Sequence, residues 1–246
     1  MFDLVVCSIF KNESHILDEW IRHYRRRGVD HLYLVNDFST DNYTDILDRY
    51  PGYITLFQND IVTHDIHRQP LIYEKYFRPL LGTSRWFAIL DLDEFLYSPT
   101  NMPFANVLFK YRECSQIRVD WLHFGSNGHV TQPASVVDGF TRRAPYDTTK
   151  PYYSYKTLFQ GKDLLVFEVH AHRVRGLTRI IHYSMSAELV INHYNLQSLN
   201  FYMTVKATRG DVNNWLDHHG TKRSRHLFDQ YDINDVEDVR LQEQNA

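Results

Sequence analysis

A chain of 246 residues that is 43% hydrophobic and 15% aromatic can bury a sizeable core, which excludes disorder and allows one large α/β domain or two small ones. Its formal net charge of -3 supplies no global basic field and argues against nucleic acid as the principal partner. Two cysteines, Cys7 inside an apolar run and Cys114 far from it, define no disulfide framework and fit a reducing compartment.

The chain opens Met1-Phe2-Asp3-Leu4-Val5-Val6-Cys7, with an early acid and no basic stretch, and no apolar run approaches the roughly 20 residues that span a bilayer. These features predict a soluble, unprocessed chain without a transmembrane segment, cytoplasmic or peripheral to a membrane. Leu4 to Ile9 is continuously apolar, the pattern of a strand covered on both faces. Ile16, Leu17, Trp20, Ile21 and Tyr24 then fall at helical spacing, Arg25 to Arg27 favour the end of the helix dipole, and Gly28 supplies the stop. A second strand is predicted over His31 to Asn36, a short helix over Thr44 to Tyr50, a third strand over Tyr53 to Gln58, a helix over Leu71 to Leu81 and a fourth strand over Trp86 to Leu90.

Strand and helix alternating in this way predict an α/β fold with a Rossmann-like, mainly parallel central sheet flanked by helices. Such sheets bind ligands beyond the carboxyl ends of their strands, where strand order reverses. Three polar clusters stand at those ends: Lys11-Asn12-Glu13, Asn36-Asp37-Phe38-Ser39-Thr40-Asp41, and Asp91-Leu92-Asp93-Glu94. Farther on, Gln116 to His123 and Leu164 to Val169 read as strands, Gly125 to Pro151 as a long loop or lid with a strand-like patch, residues 196–209 as helical, and the tail from Asp229 as polar and peripheral.

Asp91 and Asp93 follow an apolar strand two residues apart, so their carboxylates can converge on one hard cation such as Mn2+ or Mg2+. An ion there could bind a diphosphate and neutralise the charge of a departing nucleoside diphosphate. The bland alternative is a solvated acidic turn, but three acids wedged between Trp86 to Leu90 and Phe95-Leu96 would repel without a cation. In the other clusters, turn formation and helix capping serve Asn12, Asp37, Ser39 and their neighbours as well as ribose or base binding would. His193 follows an apolar run late in the chain and could complete a site begun by Asp93, or pack as an ordinary core histidine. Lys156, Arg173, Arg175 and Arg209-Gly210 suit phosphate or plain solvation. Trp121 to His129 joins aromatics to hydrogen-bonding groups on a Gly-containing segment, a surface suited to sugars, with core packing the rival for Trp121 and Phe124.

Taken in order, these pieces resemble the glycosyltransferase family 2-like proteins akin to glycosyltransferase family 92, all of the GT-A fold. The resemblance runs through Lys11-Asn12-Glu13 with Glu19-Trp20 and His23-Tyr24, Gly28-Val29, Asn36 to Asp41, and Trp86 to Phe95. It continues through Trp121 with Phe124-Gly125-Ser126 and Gly128-His129, Lys156, His170, His193-Tyr194 with Ser198, and Arg209-Gly210. Where the related pattern often places Lys or Arg beside the later Ser, this chain has Gln197-Ser198.

The resemblance implies a nucleoside-diphosphate-sugar donor held by Asn12, Glu13, Asp37, Ser39, Asp91 and Lys156, and a glycan or glycoconjugate acceptor near Trp121, Phe124, Gly125, Ser126 and His129. It also implies Mn2+ or Mg2+ on Asp91, Asp93 and His193. A direct, inverting displacement is expected, with Asp120 as first candidate for the acceptor's base and Glu94 and Asp138 behind it. Residues 1–228 are expected as one catalytic domain, 1–98 taking the nucleotide sugar and 99–228 the acceptor, followed by the tail 229–246. A haloacid-dehalogenase-type phosphatase is the enzymatic rival, disfavoured because three elements precede the acidic motif and Phe95 occupies the slot of its usual Thr or Val. A non-catalytic carbohydrate-binding protein is the other rival, and it has no need to gather carboxylates.

Overall fold

The computed structural model describes residues 1–63, 67–146, 155–169, 172–174, 180–183, 188–208 and 223–245. Its first half follows the apolar pattern closely. Strands β1 (Phe2–Phe10), β2 (His31–Asn36), β3 (Ile54–Gln58) and β4 (Ser84–Ile89) alternate with helices α1 (Ser14–Arg26), α2 (Tyr43–Leu47) and α3 (Arg68–Tyr76). Gly28, at φ +78, ends the turn after α1 in the left-handed region that glycine adopts without strain. The helix predicted as far as Leu81 stops at Tyr76 and gives way to a 3-10 turn over Arg78–Leu80, because Pro79 lacks the N–H and disfavours a helical residue before it.

The remaining strands are β5 (Glu94–Tyr97), β6 (Gln116–His123), β7 (Tyr155–Gln160), β8 (Ile180–Tyr183) and β9 (Val190–His193). They complete a nine-stranded sheet in the order β3-β2-β1-β4-β7-β6-β9-β5, with β8 beside the start of β6. β1 to β4 are mutually parallel where they pair, β9 runs parallel to β6, and β7 and β5 are antiparallel to their neighbours. The result is the predicted α/β architecture with a mainly parallel central sheet and flanking helices.

Alternation along β1 divides the core. Leu4, Val6 and Phe10 face α1 and α2, whereas Val5, Cys7 and Ile9 pack with Ile72, Tyr73 and Phe77 from the α3 side. Helices therefore lie on both faces, and the chain turns from one to the other at β1, whose neighbours are β2 and β4. That is the topological switch point, and its carboxyl-end crevice is bounded by Lys11-Asn12 and by Asp91 to Asp93.

Several elements were not legible beforehand: β5, which begins inside the acidic motif, α4 (Phe104–Lys110), β7, β8, β9 and the helices Arg225–Tyr231 and Arg240–Asn245. The stretch read as a long loop contains α5 (Val136–Gly139) and Arg142–Arg143, which pairs with Val236–Glu237 of the C-terminal segment. The strand read over Leu164 to Val169 is shorter, Leu164–Val166, and pairs with Arg173–Val174. The segment read as a peripheral tail holds buried Leu241 and an ion pair of Arg143 Nε with Asp238 Oδ2 at 2.7 Å.

Candidate active site

Helix α1 positions the acidic motif through its backbone. Trp20 Nε1 donates to Asp91 O at 3.2 Å and to Glu94 O at 3.1 Å, and Tyr24 Oη donates to Glu94 O at 2.9 Å. The Leu96 N–H donates to Tyr24 Oη, and His23 Nε2 hydrogen bonds Leu96 O at 2.8 Å. From the other side, β5 pairs with β9, setting Glu94 opposite His193, and Tyr194 N donates to Asp93 O at 2.8 Å. The motif is thus fixed between a helix near the start of the chain and a strand near residue 190.

Register then brings the functional side chains together. Lys156 pairs with Val119, and Ile191 and His193 pair with Trp121 and His123, so Lys156, Trp121, His123, His193 and Glu94 share one sheet face. Lys156 Nζ lies 3.0 Å from Asp91 Oδ2, 3.6 Å from Glu94 Oε2 and 5.9 Å from the Trp121 ring centre. The Trp121 and His193 rings stand 4.6 Å apart, with His123 5.5 Å from His193. His193 Nε2 is 3.6 Å from Asp93 Oδ1, and Lys206 Nζ is 2.5 Å from Asp93 Oδ2.

Burial shapes the charges. It would raise the Asp93 carboxyl, but Lys206 and His193 hold it well below the usual carboxylate range. Burial also pushes Glu94 well up, opposed by Lys156 and aided by Asp91 and Asp93. The Lys156 ammonium is disfavoured by burial, yet Asp91 and Glu94 raise it above the ordinary lysine value. His123 is lowered to about 3 by burial and then by His193, so its ring is neutral at physiological pH.

Among the described residues no three His, Cys, Asp or Glu side chains gather as a metal cluster. The expected set of Asp91, Asp93 and His193 therefore divides: Asp93 and His193 converge, whereas the Asp91 carboxylate is drawn to Lys156. Asp37, expected at the nucleotide, is buried and occupied by Arg68, whose Nη1 and Nη2 lie 3.0 and 2.5 Å from its oxygens, and by Asn59 Nδ2 at 2.7 Å. Asn12 and Ser39 tie two crevice loops together, Asn12 N donating to Ser39 Oγ and Thr40 N to Asn12 Oδ1. Glu13 lies buried where α1 begins, its carbonyl accepting from the N–H groups of Ile16 and Leu17.

Asp120 does not reach the cluster. It is adjacent to Trp121 in a regular strand and so stands on the opposite face, buried, accepting a hydrogen bond from Tyr146 Oη. Asp138 sits in α5, whose start is held by Glu19: its carboxylate accepts from Ser135 Oγ and from the N–H groups of Val136 and Val137. Of the expected acceptor surface only Trp121 joins the cluster. Phe124 packs on Tyr194 in the core, and Gly125 abuts Asn234. Ser126 N and Oγ donate to Asp232 at 2.6 and 2.7 Å, and His129 Nε2 hydrogen bonds Gly139 O. These contacts hold Phe124 to Ser126 against the core and the stretch Asp232 to Asn234, and His129 against α5. Ser198 caps the turn Leu199–Phe201, and Arg173 pairs with Glu168 on the surface. His170, Arg175 and Arg209-Gly210 lie outside the described residues.

The family model of Glycosyltransferase family 92 matches residues 2–241. The chain belongs to glycosyltransferase family 92. Family 92 relatives from Ricinus communis, Oryza sativa subsp. japonica and Arabidopsis thaliana are 22%, 23% and 25% identical over 206, 205 and 215 residues. Each match covers 79% of this chain and 36%, 33% and 35% of the relative, so the chain spans about a third of the length of the family 92 proteins it matches. Among solved structures, HddC from Yersinia pseudotuberculosis overlaps 66% of this chain and 78% of its own at TM-score 0.35 and 7% identity, a level that says nothing about function.

Sequence reasoning missed Lys206, Arg68 and His123. Lys206 and Arg68 carry no local signal, since each meets its carboxylate only through the fold. His123 could have been found, because strand alternation from Trp121 places it on the same face.

Proposed function

We propose that this family 92 chain is a GT-A-type glycosyltransferase that moves a sugar from a nucleoside-diphosphate donor to a hydroxyl of a glycan or glycoconjugate. The observation that carries the reading is the approach of Asp93 Oδ1 and His193 Nε2 to 3.6 Å at the carboxyl-end crevice. Two donors, one from the turn before β5 and one from β9, meeting beside a switch point, suit a cation that keeps its other positions for phosphate and water.

The donor set passes a test of fit. Asp93 and His193 offer a carboxylate and an imidazole, oxygen and nitrogen donors that first-row divalent ions accept, with His193 Nε2 directed at Asp93 Oδ1. Mn2+ or Mg2+ would be held by these two residues. Such an ion, when bound, supplies Lewis-acid stabilisation of a leaving diphosphate. The protein's own part is electrostatic and positional. Lys156 holds Asp91 and Glu94 in place, Trp20 and Tyr24 fix the motif, and the Trp121 ring beside His193 offers an apolar face on which a sugar can stack. Displacement with inversion of the anomeric carbon is the proposed course.

No described membrane-length apolar helix occurs, and the acceptor is proposed to be met from the Trp121 and His123 side. A thermal-shift screen of nucleoside diphosphates and their sugars, with and without Mn2+, tests the function. A true donor at 100 times its Kd adds about 2.7 kcal/mol, or roughly 5–10 °C at this chain length. The shift should require Mn2+ and vanish in Asp93→Asn; a donor shift indifferent to both would reject the reading.

A further inference from the structure

The carboxylate that the proposed ion needs is already bound to a cation of the protein. Lys206 Nζ lies 2.5 Å from Asp93 Oδ2 and 2.7 Å from Asn195 O, and the side chain is almost wholly buried. It ends the π-helical turn Tyr202–Lys206, in which Ala207 N donates to Tyr202 O, and its own carbonyl accepts from Arg223 Nη1 at 3.0 Å. Widened turns of this kind recur at functional sites, where they aim a side chain that a regular helix would direct elsewhere.

The two oxygens of Asp93 are therefore divided, Oδ1 toward His193 and Oδ2 to the ammonium. An ammonium and a divalent ion on one poorly solvated carboxylate repel each other and compete for the same negative charge. An ammonium displaced from Asp93 is drawn to incoming negative charge. A diphosphate arriving with the ion brings that charge to the same spot.

We propose that Lys206 is a resident counter-cation for Asp93, which it yields to the incoming divalent ion before turning to the donor's diphosphate. The proposal rests on the reading that Asp93 and His193 hold the ion. It makes two predictions of opposite sign, which a merely structural lysine would not produce. Removing the ammonium strengthens ion binding and weakens diphosphate binding.

Isothermal titration of the whole chain with Mn2+ alone, then with inorganic pyrophosphate at saturating Mn2+, reads both. Lys206→Met should bind Mn2+ at least tenfold more tightly than wild type and pyrophosphate at least fivefold more weakly. Lys206→Gln, a second neutral variant, should repeat the pattern should the methionine variant not fold, and Lys206→Arg should stay near wild type. Unchanged or weaker Mn2+ binding in the neutral variants, or unchanged pyrophosphate binding, would overturn the proposal while leaving the metal reading intact, provided Asp93→Asn abolishes Mn2+ binding. Absence of Mn2+ binding in wild type and both neutral variants would overturn both. Binding in the neutral variants but not in wild type would support the counter-cation directly.

Discussion

Asp37 looked like a nucleotide contact in the sequence, and in the fold it is one half of a buried ion pair. Arg68, fully buried at the start of α3, grips both Asp37 oxygens and also donates from Nε and Nη2 to Ile61 O at 3.1 and 3.0 Å. Arg68→Met removes the charge and keeps the stem, leaving the Asp37 carboxylate buried against Asn59. Breaking one side of such a pair costs about 3–5 kcal/mol, a large part of the roughly 5–15 kcal/mol that holds a domain together. At this length that lowers Tm by roughly 6–20 °C. Asp37→Asn should cost a similar amount by removing the carboxylate that faces Arg68, and the double variant should cost clearly less than the sum, with coupling of about 2 kcal/mol or more. Urea unfolding of the four proteins reads this. A loss below about 1 kcal/mol for Arg68→Met, or additive costs, would refute the anchor and return Asp37 to the ligand. Folded Asp37→Asn should still bind the donor.

His23 is buried, and burial, followed by Arg27, lowers its pKa well below the ordinary imidazole value. The native ring is therefore neutral, and below pH about 6.5 only the unfolded chain takes its proton; the stabilisation is complete above that pH and falls by about 1.4 kcal/mol per unit below it. Urea midpoints between pH 7.5 and 5 should show a shallower decline for His23→Gln than for wild type, and parallel declines would count against this account. Trp20→Phe deletes two hydrogen bonds to the acidic motif, so it should cost about 1–2 kcal/mol and weaken Mn2+-dependent donor binding severalfold in titration calorimetry. Gly125→Ala would press its Cβ to 2.8 Å from the Ile233 carbonyl as well as into Asn234, and should destabilise by about 1–3 kcal/mol. Trimming Asn234 to Ala should restore only part of that in thermal melts, because a backbone atom remains in the way.

The first four strands were legible because each is an apolar run punctuated by caps, a stop glycine or acids, and parallel strands covered on both faces have no other pattern available. β7 was hidden because it buries the polar residues Lys156, Thr157 and Gln160, with Lys156 paired to Asp91 beyond the end of β4 and Gln160 donating to the carbonyls of Arg112 and Cys114 ahead of β6. The centre of the site was legible in part. Asp93 and His193 come within 3.6 Å of each other, yet the lysine bound to Asp93 stands 113 residues away, and nothing in Tyr202 to Lys206 announces it. Residues chosen for chemistry at Phe124 to His129 turned out to be engaged with Asp232, Asn234 and Gly139, since the same polar groups that bind sugars also close tight turns.

Trp20 and Tyr24 grasp the acidic motif by its carbonyl oxygens and leave its side chains alone. A main-chain grip is blind to which amino acid stands there. The helix therefore places the segment without specifying its acids, and what specifies them comes from elsewhere, the buried ammonium groups of Lys156 and Lys206. Position and charge in this crevice thus have separate sources, and a change of acid calls for a matching change in the lysine that faces it.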